Sequence, residues 1–136
     1  MKGSVVKKIL FVDDMPERFD RFISIRQDDV EAVWASDPDG ACRSLLLMGE
    51  FDEVWLDHDA GEGLPGEKLT FYPVACVLAA MRFKGKVFLH SGNPVGVERM
   101  AAILKDCGIM ATRPDGHTLA GVHGGREPGD GSQGYV

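Results

Sequence analysis

Cysteine is scarce in this sequence. Cys42, Cys76 and Cys107 are an odd number, far apart, and lie in apolar stretches with helical spacing. They give no disulfide framework and no zinc-ligand spacing, so they read as reduced core thiols. Basic charge is in deficit as well: 15 Lys and Arg face 21 Asp and Glu, a formal net charge of -6 with a pI near 5.1. That sign excludes a general affinity for nucleic-acid backbones, although a local basic groove remains compatible with it. No apolar run approaches the roughly 18 residues that a membrane helix needs, and residues 1–8 carry no apolar signal segment. The expectation is a cytoplasmic protein that makes no membrane contact. Residues 114–136 lack apolar periodicity and hold seven glycines. The sequence therefore divides into a folded domain over 1–114 and a partly disordered tail over 115–136, with at most a short turn near 118–122.

What is present is the alternation of an α/β domain. The 136 residues are 44% hydrophobic with a mean hydropathy of -0.09, enough to bury a core. Residues 8–12 form a short apolar run that stops at Asp13-Asp14, the pattern of a strand buried on both faces. Phe19, Phe22, Ile23 and Ile25 give 15–26 a helical spacing, with Asp14 placed to cap it and Pro16 in its first turn. Residues 30–35 read as the second strand, and Asp37-Pro38 opens a second helix through Leu45, Leu46 and Leu47. Residues 53–56 read as the third strand, ending at Asp57-His58-Asp59. A Gly-rich stretch over 60–70 is expected to be a flexible lid above the site. Residues 73–83 carry the third helix and 87–89 the fourth strand. Asn93-Pro94 starts a fourth helix that Gly108 stops, and 109–111 give a short fifth strand. Trp34 and Trp55 fall in strands and are expected in the core. Arg82, Lys84 and Lys86 read as a solvated helix end.

Short buried strands alternating with helices imply βαβ units and a parallel sheet, whose ligands bind beyond the carboxyl ends of the strands. The polar clusters occupy those ends: Asp13-Asp14, Asp57-His58-Asp59 and His90-Ser91-Gly92-Asn93. Carboxylates from separate strand ends can share a hard cation, which makes Asp13, Asp14, Asp57 and Asp59 the candidate metal ligands. His58 and His90 are candidates for acid–base work, since imidazole titrates near neutral pH. Ser91, Gly92 and Asn93 join a strand end to a helix start, where free N–H groups favour phosphate. Arg113, after the fifth strand, is a further candidate for binding phosphate. Gly61, Gly63 and Gly66 spell G-x-G-x-x-G, but the segment does not open into a helix, and Lys86 stands where the fingerprint requires an acid. That motif is rejected.

The residues Asp13-Asp14, Asp57, Ser91 and Arg113-Pro114, in that order, make residues 7–114 resemble the receiver domains of response regulators. The resemblance implies a flavodoxin-like five-stranded parallel sheet of order 2-1-3-4-5. It also implies magnesium on Asp13, Asp14 and Asp57, and Asp57 as a phosphoacceptor. The sequence departs from that pattern at Arg113, where the family has lysine, and at His90, where it has an apolar residue. His58-Asp59, a longer loop after them and a reduced or absent last helix are further departures. Leu-Asp-His-Asp at 56–59 and His-Ser-x-Asn-Pro at 90–94 instead resemble a divergent branch, the cyclic-phosphate processing receiver-like domains. That resemblance implies a metal-assisted phosphoesterase acting on a cyclic phosphate of a nucleotide, an ADP-ribose derivative or an RNA end, often in phage or bacterial conflict systems. Asp57, His58 and His90 would be its catalytic residues. The alternatives are a receiver switch phosphorylated on Asp57 and a nucleotide-sensing module without chemistry. A missing fifth helix would leave one sheet face uncovered, so a homodimer or a folded-back tail is expected. His117 and His123 lie just beyond the fifth strand; they are expected in a solvent-exposed tail, with reach to the site as the alternative.

Overall fold

The computed structural model describes residues 6–119. In chain order its elements are β1 (Lys7–Val12), α1 (Pro16–Ser24), β2 (Val30–Ala35), α2 (Pro38–Leu47), β3 (Glu53–Leu56), β4 (Asp59–Glu62), β5 (Lys68–Thr70), α3 (Tyr72–Ala80), β6 (Lys86–Leu89), α4 (Pro94–Asp106) and β7 (Ala111–Thr112). Five of the strands form one parallel sheet in the order β2-β1-β3-β6-β7. This is the flavodoxin-like order expected from the sequence.

Alternation along the strands divides the apolar side chains between two faces. Leu10, Val12, Val54, Leu56, Val87 and Leu89 pack beneath α2, α3 and α4 with Leu45, Val74, Leu78, Met100 and Leu104. Ile9 and Phe11 turn the other way, towards Phe22 of α1. The Phe11 and Phe22 rings stack at 4.6 Å, and Trp55 stacks on Phe88 at 4.3 Å. Trp55 and Phe88 are only half-buried, because no fifth helix covers that face among the described residues. After β7 the chain instead turns through Gly116 and returns, Thr118 bridging antiparallel to Thr112. Leu119 is buried, and residues 120–136, including His123, lie outside the described residues. No described helix is long and apolar enough to cross a membrane.

Three sequence expectations are corrected. Asp14 does not cap α1: Met15 is the N-cap residue, and its N–H donates to Asp13 Oδ1 at 2.9 Å. Residues 60–70 are not a plain loop but hold most of an antiparallel hairpin, β4 against β5. Gly61 and Gly66 supply positive φ angles of 86° and 84°, which L side chains rarely adopt. The hairpin base is tied by Phe71 N–H donating to His58 O at 2.7 Å, with Phe71 fully buried. Trp34 is not core either. It sits at the sheet margin, 37% exposed, and its indole N–H donates to the Asp13 carbonyl at 2.8 Å.

Candidate functional site

β1 and β3 are hydrogen-bonded neighbours with Val12 opposite Leu56, so the next residue of each, Asp13 and Asp57, emerges side by side at the sheet edge. Both are almost fully buried, 0% and 2% exposed. Each has one carboxylate oxygen pinned by backbone. Met15 N–H holds Asp13 Oδ1, and His58 N–H holds Asp57 Oδ1 at 2.8 Å. The Oδ2 atoms converge on a shared position. Arg18 Nη1 stands there, 3.4 Å from Asp13 Oδ2 and 3.3 Å from Asp57 Oδ2. His90 Nδ1 lies 3.6 Å from the same Asp13 oxygen. One ligand atom each from Asp13, Asp57 and His90 fall within 4.8 Å of one another.

Burial first, and then the Asp13 charge, push the Asp57 pKa up to about 6, against the His58 N–H, the Ser91 hydroxyl and Arg18. Burial also lowers the pKa of His90, whose ring stacks on Phe11 at 4.8 Å. A neutral imidazole is the form that can ligate a metal.

His58 lies on the opposite face of the sheet edge from His90. Its ring packs against the first turn of α4, so closely that a Cβ on Gly96 would run into it. His58 Nδ1 is 2.9 Å from Asp59 Oδ1, and Asn93 Nδ2 donates to that oxygen at 3.2 Å. The His58 bond holds the Asp59 carboxyl below the usual range, so Asp59 is ionised and fixes the imidazole orientation. His58, Asp59, Asn93 and the hairpin residues Gly61, Glu62, Lys68, Leu69 and Thr70 enclose a cavity of about 460 Å³. A larger cleft of about 770 Å³ lies at the opposite end of the strands, around Arg82, Lys84 and Phe88. It gathers none of the acids or histidines, so size alone does not locate the chemistry.

The expected residues thus separate into two centres. Asp13, Asp57 and His90 form one, and His58, Asp59 and Asn93 form the other. Asp14 stands outside both, half-buried, with its Oδ2 3.2 Å from where a Cβ on Gly61 would be. Asp59, with its side chain 64% exposed, serves His58 rather than the acid pair. Ser91 bridges the region, its Oγ accepting from Asn93 N–H at 3.0 Å and its hydroxyl reaching Asp57. Asn93 caps α4 through Gly96 N–H at 3.0 Å, and Gly92 faces open space. The side chain of Arg113 makes no hydrogen bond or ion pair to either centre among the described residues, and its backbone N–H donates to His117 O. His117 is paired with Asp115 on the surface. Sequence reasoning missed Arg18. Its signal was position: a cation in the first turn of the helix that follows the first acidic strand end.

The family model of the cyclic-phosphate processing receiver domain matches residues 8–106, most of the described chain. The chain belongs to that family. Among curated proteins no relative matches this cyclic-phosphate processing receiver domain. Solved structures share its fold at low identity. A Francisella response regulator 1452 receiver domain matches with TM-score 0.54 and 16% identity, over 81% of this chain and 85% of that one. A fusion carrying a yeast Spc42 coiled-coil segment matches with TM-score 0.58 and 19% identity, over 73% of this chain and 63% of that one. A CheY-like receiver domain from Methylobacillus flagellatus has TM-score 0.49 and 18% identity, over 68% of this chain and 75% of that one.

The residues of this receiver domain fit the divalent cation that receiver domains hold in an acidic pocket. Magnesium is usually held by one or two carboxylates and keeps several waters, which Asp13 and Asp57 satisfy. The His90 imidazole extends the set towards manganese or zinc, which take nitrogen more readily.

Proposed function

We propose that this domain is a metal-assisted phosphoesterase that opens a cyclic phosphate of a nucleotide, an ADP-ribose derivative or an RNA end. The observation that carries the reading is the pairing of two centres across one sheet edge: an acid pair with a neutral histidine, and a second histidine oriented by a carboxylate. A receiver that only accepts phosphate on an aspartate has no need of the second.

Asp13 and Asp57 would hold the cation through their Oδ2 atoms, with His90 Nδ1 beside them. Bound there, a divalent cation supplies Lewis acidity to a phosphate oxygen. His58 carries its proton on Nδ1 toward Asp59, which leaves Nε2 as the basic nitrogen that takes a proton from the attacking water and then hands it to the leaving ribose oxygen as the ring P–O bond breaks. Nε2 of His58 is buried, so the hairpin side of its cavity must open to admit substrate. Ser91 and the start of α4 at Asn93 provide donors for the phosphate. The hairpin cavity then receives the rest of the nucleotide.

Phosphorus NMR of the purified protein with magnesium tests this, using 2′,3′-cyclic nucleotides, ADP-ribose 1″,2″-cyclic phosphate and cyclic dinucleotides. Ring opening of at least one class is expected, reduced by about 10²-fold or more in both Asp57→Asn and His58→Ala. Inertness towards the whole panel, with a stable mass-shifted protein after acetyl phosphate, would move the function to signalling through Asp57.

A further inference from the structure

Arg18 is a cation in the wrong half of its helix. It occupies the first turn of α1, where the helix dipole and the unpaired N–H groups disfavour positive charge. Its compensation lies outside the helix, in the Oδ2 atoms of Asp13 and Asp57. That contact is unequal. The two carboxylates are nearly fully buried, whereas the Arg18 side chain is 52% exposed. The separations of 3.3 and 3.4 Å are also long beside the roughly 2.7–2.9 Å of a strong charge-assisted bond. One nitrogen spans both acids, so the planar fork is not engaged face to face with either.

We propose that Arg18 is an exchangeable counter-cation: its guanidinium partly offsets the charges of Asp13 and Asp57 in the metal-free protein and turns outward to hold a substrate phosphate when a divalent cation takes its place. The phosphate half rests on the phosphoesterase reading above, and the exchange half does not. The Oδ2 atoms offer one shared position, because backbone N–H groups already hold both Oδ1 atoms. A dication there gains twice the Coulomb attraction of a guanidinium at equal distance. It would also repel Arg18, whose side chain is already half-exposed, towards solvent. There the free fork matches two phosphate oxygens, which a lysine ammonium would not do.

The test is calorimetric titration of magnesium and manganese into the native chain and into Arg18→Gln. Trp34 fluorescence is a second readout, since its indole is bonded to the Asp13 carbonyl. Arg18→Gln is expected to bind metal about tenfold more tightly, since the competitor is gone. The metal-loaded variant is expected to bind inorganic phosphate about tenfold more weakly. Those opposite signs separate exchange from a structural role, which would weaken both. Unchanged or weaker metal binding overturns the exchange, and unchanged phosphate binding overturns the outward role. Should Arg18→Gln not fold, the Arg18 Nε–H resonance of the native protein decides the same point. It should shift and exchange faster with water as metal is added, and indifference to metal overturns the proposal. None of these readouts needs turnover, so a chain that hydrolyses nothing in the panel can still pass or fail them.

Discussion

Asp57 enters the folded chain with a pKa near 6, against 3.8 for an ordinary aspartate, because burial and the Asp13 charge disfavour its ionised form. Between those two values the unfolded chain has released the proton and the folded chain has kept it. Folding stability in a chelating buffer therefore falls as pH rises from about 4 to 6, and the full penalty persists above that. Asp57→Asn removes the penalty. The variant should be more stable than the native chain by on the order of 2 kcal/mol at pH 7.5, with the gap closing towards pH 4. Thermal unfolding at several pH values with EDTA checks this, and excess magnesium should stabilise the native chain alone. A gap independent of pH would mean that the Asp57 charge is already compensated without metal. The candidacy of Asp57 was legible in the sequence, since acids end two strands, at Asp13-Asp14 and at Asp57, and a parallel sheet brings such ends to one edge. The division of labour between Asp57 Oδ1 and Oδ2 was not, because it depends on where the Met15 and His58 N–H groups point.

At the scale of elements, the strands were legible and the connections less so. Apolar runs such as Ile9-Leu10-Phe11-Val12 announce themselves by composition, and each ended within a residue or two of its expected place. The hairpin of β4 and β5 did not. Its strands hold Asp59-Ala60-Gly61-Glu62 and Lys68-Leu69-Thr70, with little β-branched or aromatic content. They pair because the turn glycines and the buried Phe71 leave them few alternatives. The end of α3 was overrun for a related reason. Apolar spacing continues to Phe83, yet the helix stops at Ala80, and Arg82 takes a left-handed φ of 52°. Phe83 N–H donates to Leu78 O at 3.0 Å and Arg82 N–H to Ala79 O at 3.1 Å, a Schellman-type ending that usually carries glycine. Arg82→Gly should therefore stabilise the protein by about 0.5–1 kcal/mol in chemical denaturation. A loss of stability would show that the Arg82 side chain holds the neighbouring cleft together and outweighs the strained backbone.

Across the whole molecule, the sheet acts as a partition. Even-numbered positions of β1 and β3 face α2, α3 and α4, and odd-numbered ones face α1; β6 reverses the parity. His58 continues the even face of β3 and meets Gly96 of α4, whereas His90 shares the α1 face with Phe11. The sequence places both histidines at one edge, and only the register of the strands separates them. That separation makes their roles distinguishable. Removing His90 takes a nitrogen from the group formed with Asp13 and Asp57, so His90→Ala should weaken manganese binding by about tenfold or more. Removing His58 leaves that group intact, so His58→Ala should bind manganese within about twofold of the native chain. Both variants should lose turnover on any cyclic phosphate that the native chain opens. Equal losses of manganese affinity in the two variants would mean that the partition is breached and the histidines act as one cluster. Equal retention would leave the cation to Asp13 and Asp57 alone, the coordination that magnesium favours, and would return His90 to packing against Phe11.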